Sequence, residues 1–133
     1  MCYCRVLVPL KVMVIYWLNI NMIPNPYSHG LIESKIWLCE ELEKLSVDTH
    51  LTSIWLLGGW TGVTGLMLHT RQNLKFDRII NVDCDPEAIR ESEKTLDCLQ
   101  AVGRLTTQCR DLNGDDFIGL SEFDETDVII NTS

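Results

Sequence analysis

Residues 51–65 read Leu-Thr-Ser-Ile-Trp-Leu-Leu-Gly-Gly-Trp-Thr-Gly-Val-Thr-Gly. A short apolar run from Leu51 to Leu57 that ends in glycines is the pattern of a strand buried on both faces. The apolar triplet Leu66, Met67 and Leu68 then predicts a helix. Glycine at such a strand-to-helix turn takes backbone conformations closed to other residues and lets a ligand come close to the main chain. Read as the dinucleotide fingerprint GxGxxG, the best register runs from Trp60 to Gly65 and lacks its first glycine, which counts against NAD.

The same alternation continues outward from this segment. Downstream, Arg78 to Val82 predicts a second strand, and Pro86 to Val102 a helix with proline in its first turn. Leu105 to Cys109 predicts a third strand. After an acidic loop from Asp111 to Asp127, broken by Gly114 and Gly119, Asp127 to Asn131 predicts a fourth. Upstream, Leu31, Ile32, Lys35, Ile36, Leu38, Leu42 and Leu45 recur near a 3.6-residue period and predict a helix, with Ser28 as its N-cap. Ile23 to His29 holds two prolines and reads as a boundary. Strands alternating with helices give an α/β fold, a mostly parallel sheet covered on both faces in a Rossmann-like three-layer sandwich.

That boundary divides the chain into an apolar extension, residues 1–24, and a domain, residues 25–133. The extension has a Val-rich run from Val6 to Leu18 behind Arg5, but Pro9 and Lys11 interrupt it and no small-residue cleavage site follows. It is expected to be neither an exported leader nor a membrane anchor. Its Val and Ile content suits an added strand, and a stretch lying upstream of the domain's natural start is the alternative.

Of the 133 residues, 46% are hydrophobic and 23% charged, as in a globular domain. The charge is uneven. Residues 1–82 carry 6 acids and 7 bases, whereas residues 83–133 carry 13 and 4. Such a surface repels phosphate backbones, so nonspecific nucleic-acid binding is not expected, and cationic or neutral small ligands suit it better. The six cysteines form no CxxC pair and the three histidines no HExxH group, so no metal site is expected and the thiols are read as reduced in a cytoplasmic protein.

At the end of the second strand, Asn81-Val82-Asp83-Cys84-Asp85-Pro86 places a carboxylate 25 residues after Gly58. That is close to the separation at which an acid binds ribose hydroxyls in such folds, and a charged acceptor strengthens those bonds. Asp83 is the candidate. Asp85 is expected to cap the following helix instead.

With these residues in view, the stretch from about Asn25 to Ser133 resembles the front half of class I S-adenosylmethionine-dependent methyltransferases, especially phage and bacterial forms. The likeness rests on Leu-Gly-Gly-Trp-Thr-Gly (57–62), Asp-Cys-Asp-Pro (83–86) and the terminal Val-Ile-Ile-Asn-Thr-Ser (128–133). It implies about four strands of a seven-stranded sheet, with S-adenosyl-L-methionine over the carboxyl ends of the strands. By the same likeness Gly58, Gly59 and Gly62 pass beneath the methionine part, Asp83 holds the ribose, Asp111 lies near the adenine, and Trp60 counts among the cofactor-binding residues. Asn131, the candidate catalytic residue, and Thr132 would face the transferred methyl group. In the family's usual acidic-x-Gly-x-Gly-x-Gly motif, Leu56 stands at the acidic position and Trp60 at the middle glycine.

The resemblance further implies a cofactor-binding half, truncated relative to the family, with the methyl acceptor left unspecified. A strand order of 3-2-1-4 would leave residues 127–131 as a bare edge, open to self-association or to a partner chain. The alternative function is a noncatalytic Rossmann-like binding module completed by such a partner.

Overall fold

The computed structural model describes residues 2–7, 13–19, 29–112, 122–124 and 126–131. Six strands form one sheet: β1 (Cys2–Leu7), β2 (Met13–Asn19), β3 (Leu51–Leu57), β4 (Phe76–Asp83), β5 (Leu105–Cys109) and β6 (Val128–Asn131). The helices are α1 (His29–Ser46), α2 (Val63–His69), α3 (Pro86–Thr95) and α4 (Asp97–Gln100). The sheet order is β1-β2-β6-β3-β4-β5, and every neighbouring pair is parallel except the antiparallel pair β1 and β2. The expected α/β architecture and its 3-2-1-4 core order are therefore present, as β5-β4-β3-β6.

The four expected strands are all present, and residues 2–7 and 13–19 of the N-terminal extension add two more, so that one expectation is corrected. As a result the strand at 127–131 is not a bare edge. Met13 to Tyr16 pairs with Val128 to Asn131 on one side, and Ile54 to Leu57 pairs with the same four residues on the other. Both backbone edges of β6 are thus occupied by this chain, which removes the route proposed for a partner strand.

Alternation along the strands divides the core in two. Ile54, Leu56, Ile79, Val128 and Ile130 face one side, where they pack with Leu38, Cys39 and Leu42 of α1, Leu68 of α2, and Leu96 and Leu99. One residue out of phase, Trp55, Ile80, Val82 and Ile129 face the other side with Leu57, Leu112 and Phe123. Among the described residues, Leu112 and Phe123 pack on this second face, whereas α1, α2 and the stretch holding Leu96 and Leu99 pack on the first. The described helices include none long and apolar enough to cross a membrane.

Helix α1 buries Lys35, Leu38, Cys39 and Leu42, a strict i, i+3, i+4, i+7 stripe, and leaves Ile36 and Leu45 outside the core. The predicted Ser28 cap lies outside the described residues. The single helix expected from Pro86 to Val102 breaks at Leu96, whose backbone leaves the helical region while its side chain is fully buried. Asp85 caps α3 as expected, its carboxylate accepting from the Glu87 N–H at 2.9 Å, with Pro86 in the first turn. Of the acidic loop, Asp115, Asp116 and Glu125 also lie outside the described residues.

Candidate functional site

The turn between β3 and α2 is held against the end of β4 by main-chain hydrogen bonds. The N–H groups of Gly58 and Gly59 both donate to the Val82 carbonyl, at 2.8 and 3.1 Å. Three alternate residues of the turn take left-handed backbone: Gly58 at φ 69°, Trp60 at φ 50° and Gly62 at φ 84°. Trp60 is the sole non-glycine residue with positive φ among the described residues. A bulky side chain in this region is a real departure from preference.

The neighbouring strand stabilises that departure. The Trp60 N–H donates to Asp83 Oδ2 at 3.0 Å, and the Trp60 carbonyl accepts from Asn81 Nδ2 at 3.2 Å. Both polar main-chain groups of Trp60 therefore turn toward β4. The other oxygen of Asp83 accepts from the Asp85 N–H at 3.0 Å. An ionised carboxylate offers about four acceptor sites, so two backbone donors leave capacity for further hydroxyl donors.

Above this turn lies a cavity of about 260 Å³ lined by Gly58, Trp60, Asp83, Cys84, Arg110, Asp111 and Leu112. Its volume sits just below the roughly 300–1,000 Å³ usual for small-molecule sites. It lies at the carboxyl ends of β3, β4 and β5, where open parallel sheets bind ligands. Arg110 belongs to the lining, but its guanidinium meets the Glu122 carboxylate at 3.0 Å, so its charge is balanced. With two carboxylates, Asp83 and Asp111, against one guanidinium, the lining carries an excess of acid, which suits a cation and opposes a pyrophosphate.

Of the residues expected at a site, the structure brings Gly58, Trp60, Asp83 and Asp111 together in this one cavity. Gly59 and Gly62 stand outside its lining. A Cβ on Gly59 would lie 1.8 Å from Asn81 Oδ1, and one on Gly62 would lie 3.1 Å from Leu96 Cδ1, so both glycines serve close packing beneath the turn. Asn131 is also outside the lining. It ends β6 directly beside Leu57, one residue before the turn. Thr132 lies outside the described residues.

Sequence reasoning missed Asn81 as an anchor. It is completely buried, ties down Trp60 through its amide and has its Oδ1 against Gly59 without a hydrogen-bond partner. The available signal was a carboxamide in the middle of an apolar strand, Ile79-Ile80-Asn81-Val82, since a buried polar group must be satisfied or used. Cys84, Arg110 and Leu112 were missed too, because their place in the cavity comes from the pairing of β4 with β5. Asp83 and Cys109 are register partners across that pair.

No family pattern matches the sequence, and no curated protein is significantly similar to it. Solved structures do match the fold. A proposed RNA methyltransferase of Pyrococcus horikoshii superposes with a TM-score of 0.54 at 22% identity, over 74% of this chain and 44% of that one. An RNA methyltransferase of Salinibacter ruber, solved with S-adenosyl-L-homocysteine, gives 0.46 at 14% identity over 69% of this chain and 54% of that one. A SAM-dependent methyltransferase of Agrobacterium tumefaciens gives 0.46 at 18% identity over 81% and 32%. The chain thus spans less than half the length of the Pyrococcus protein. That superposition establishes the fold as the Rossmann-like one expected from the resemblance.

Proposed function

We propose that this chain carries the cofactor-binding part of an S-adenosyl-L-methionine-dependent methyltransferase. The carrying observation is the direct contact between the glycine turn and Asp83, made by the Trp60 N–H at 3.0 Å, at the floor of an acidic cavity on the carboxyl edge of a parallel sheet. The residues present fit a cationic adenosyl ligand. Asp83 retains acceptor capacity for a vicinal diol, Gly58 offers main chain without a side chain in the way, and the lining carboxylates attract positive charge.

When bound, S-adenosyl-L-methionine supplies an electrophilic methyl group on a sulfonium. The chain's own contribution is positioning and exclusion of water, which can account for much of the acceleration of such a reaction. Asp83 is assigned to the ribose, Asp111 to the neighbourhood of the base, and Asn131, at the end of β6, to the polar group nearest the transferred methyl. The reading carries a cytoplasmic setting, in which the six cysteines stay reduced.

Calorimetric titration with S-adenosyl-L-methionine tests the proposal. Binding at micromolar concentrations is expected for the wild type. Asp83→Asn, which keeps one acceptor oxygen for the Trp60 N–H and gives up the one that receives the Asp85 N–H, is expected to weaken binding at least about tenfold through loss of charge-assisted bonds. A wild-type protein that takes up no cofactor, or an Asn variant that binds equally well, overturns this reading.

A further inference from the structure

Trp60 occupies a backbone conformation that glycine would take freely, at the very position where the resembled motif carries glycine. Such a residue persists only where its surroundings hold it, and here they do so from both sides: the N–H is fixed by Asp83 and the carbonyl by Asn81. Both main-chain polar groups are held by β4, and the residue remains 37% exposed. Trp60 shares the cavity with the carboxylates Asp83 and Asp111.

An aromatic ring beside carboxylates is a combination that recognises a cation with a soft, methylated surface. The ring's quadrupole attracts positive charge over its face, and tryptophan is the strongest of the aromatic side chains in this respect. Resting on the cofactor reading above, we propose that Trp60 is a specificity-determining residue: its indole holds the positive sulfonium of the bound cofactor and lets go of the neutral thioether left once the methyl group has gone. The site then discriminates substrate from product by charge, and the residue at the turn accelerates product exchange.

The test is the ratio of affinities for S-adenosyl-L-methionine and S-adenosyl-L-homocysteine, measured by calorimetry in the wild type, Trp60→Phe, Trp60→Leu and Trp60→Gly. The wild type is expected to favour the sulfonium. Trp60→Leu, which keeps apolar bulk without a π face, and Trp60→Gly, which suits the left-handed backbone and so guards against misfolding, are each expected to lower the ratio by about 3- to 30-fold. Trp60→Phe should keep part of the preference. An unchanged ratio in both Leu and Gly variants overturns this inference while leaving the cofactor reading intact. A wild type that binds neither ligand overturns both.

Discussion

Asn81 and Gly59 form a matched pair on which the candidate site depends. The absent side chain of Gly59 is the space that Asn81 Oδ1 fills, and the amide nitrogen of the same Asn81 holds the Trp60 carbonyl. Gly59→Ala would put a methyl group 1.8 Å from that oxygen, so Asn81 must swing away and abandon Trp60. Breaking this part-buried hydrogen bond is expected to cost about 1–3 kcal/mol, visible as a lowered midpoint in urea denaturation at unchanged slope. A Gly59→Ala protein as stable as the wild type would show that the amide is free to rearrange. The glycine requirement was legible from the sequence because the run Gly58-Gly59 closes a strand. The partner was not, since nothing local to residue 59 points to residue 81.

Among the elements, β6 shows how a short strand gets its place. Asp127, just before it, is 3% exposed and accepts hydrogen bonds from the Ser53 N–H at 3.2 Å, the Trp55 indole Nε1–H at 3.1 Å and the Asp124 N–H at 2.9 Å. Three donors compensate a carboxylate that would otherwise be costly to bury. Trp55 in turn packs edge-on against Phe123, with ring centroids 4.8 Å apart. The clamp sets the register that brings Asn131 beside Leu57. Asp127→Ala removes the acceptor of all three hydrogen bonds at once and strands a buried indole N–H, so a loss of about 2–4 kcal/mol is expected. Thermal unfolding followed by tryptophan fluorescence checks it, and a shift of less than a degree or so would mean that the strand holds its register by other means. The apolar alternation of Val128 to Ile130 made the strand predictable. That the N-terminal run adds a strand was one of two readings its composition allowed, but that Met13 to Tyr16 covers the outer edge of β6 came from the pairing alone.

Across the whole molecule, the first face of the sheet carries the larger apolar cluster, and Cys39 of α1 sits fully buried within it. Burial pushes the Cys39 thiol up, outweighing the opposing pull of Arg71. The sign follows from linkage. With its folded pKa above the unfolded one, the thiol contributes stability that is complete below the ordinary thiol range and is lost as pH rises through the elevated value. Stability is therefore expected to fall on the alkaline side, and Cys39→Ala to flatten that fall even if it lowers stability overall. Chemical denaturation between pH 7 and pH 10 measures this directly; parallel curves for the two proteins would contradict it. Under native conditions iodoacetamide is also expected to label the exposed Cys84, Cys98 and Cys109 well before Cys39, as peptide mass mapping would show.

Local patterning by itself determined the alternation of strands and helices, the glycine turn after β3 and the carboxylate at the end of β4, because each is dictated by periodicity or by backbone sterics within a few residues. Tertiary structure alone decided which of these features meet. Asp83 receives the Trp60 N–H, Asn81 fills the space beneath Gly59, and Arg110 and Leu112 close the cavity because β3, β4 and β5 lie side by side in register. The N-terminal run becomes part of the sheet for the same reason. Backbone hydrogen bonds between strands far apart in the chain carry no signature in either segment alone, so pairing, and everything that pairing brings together, emerges only when the chain is folded.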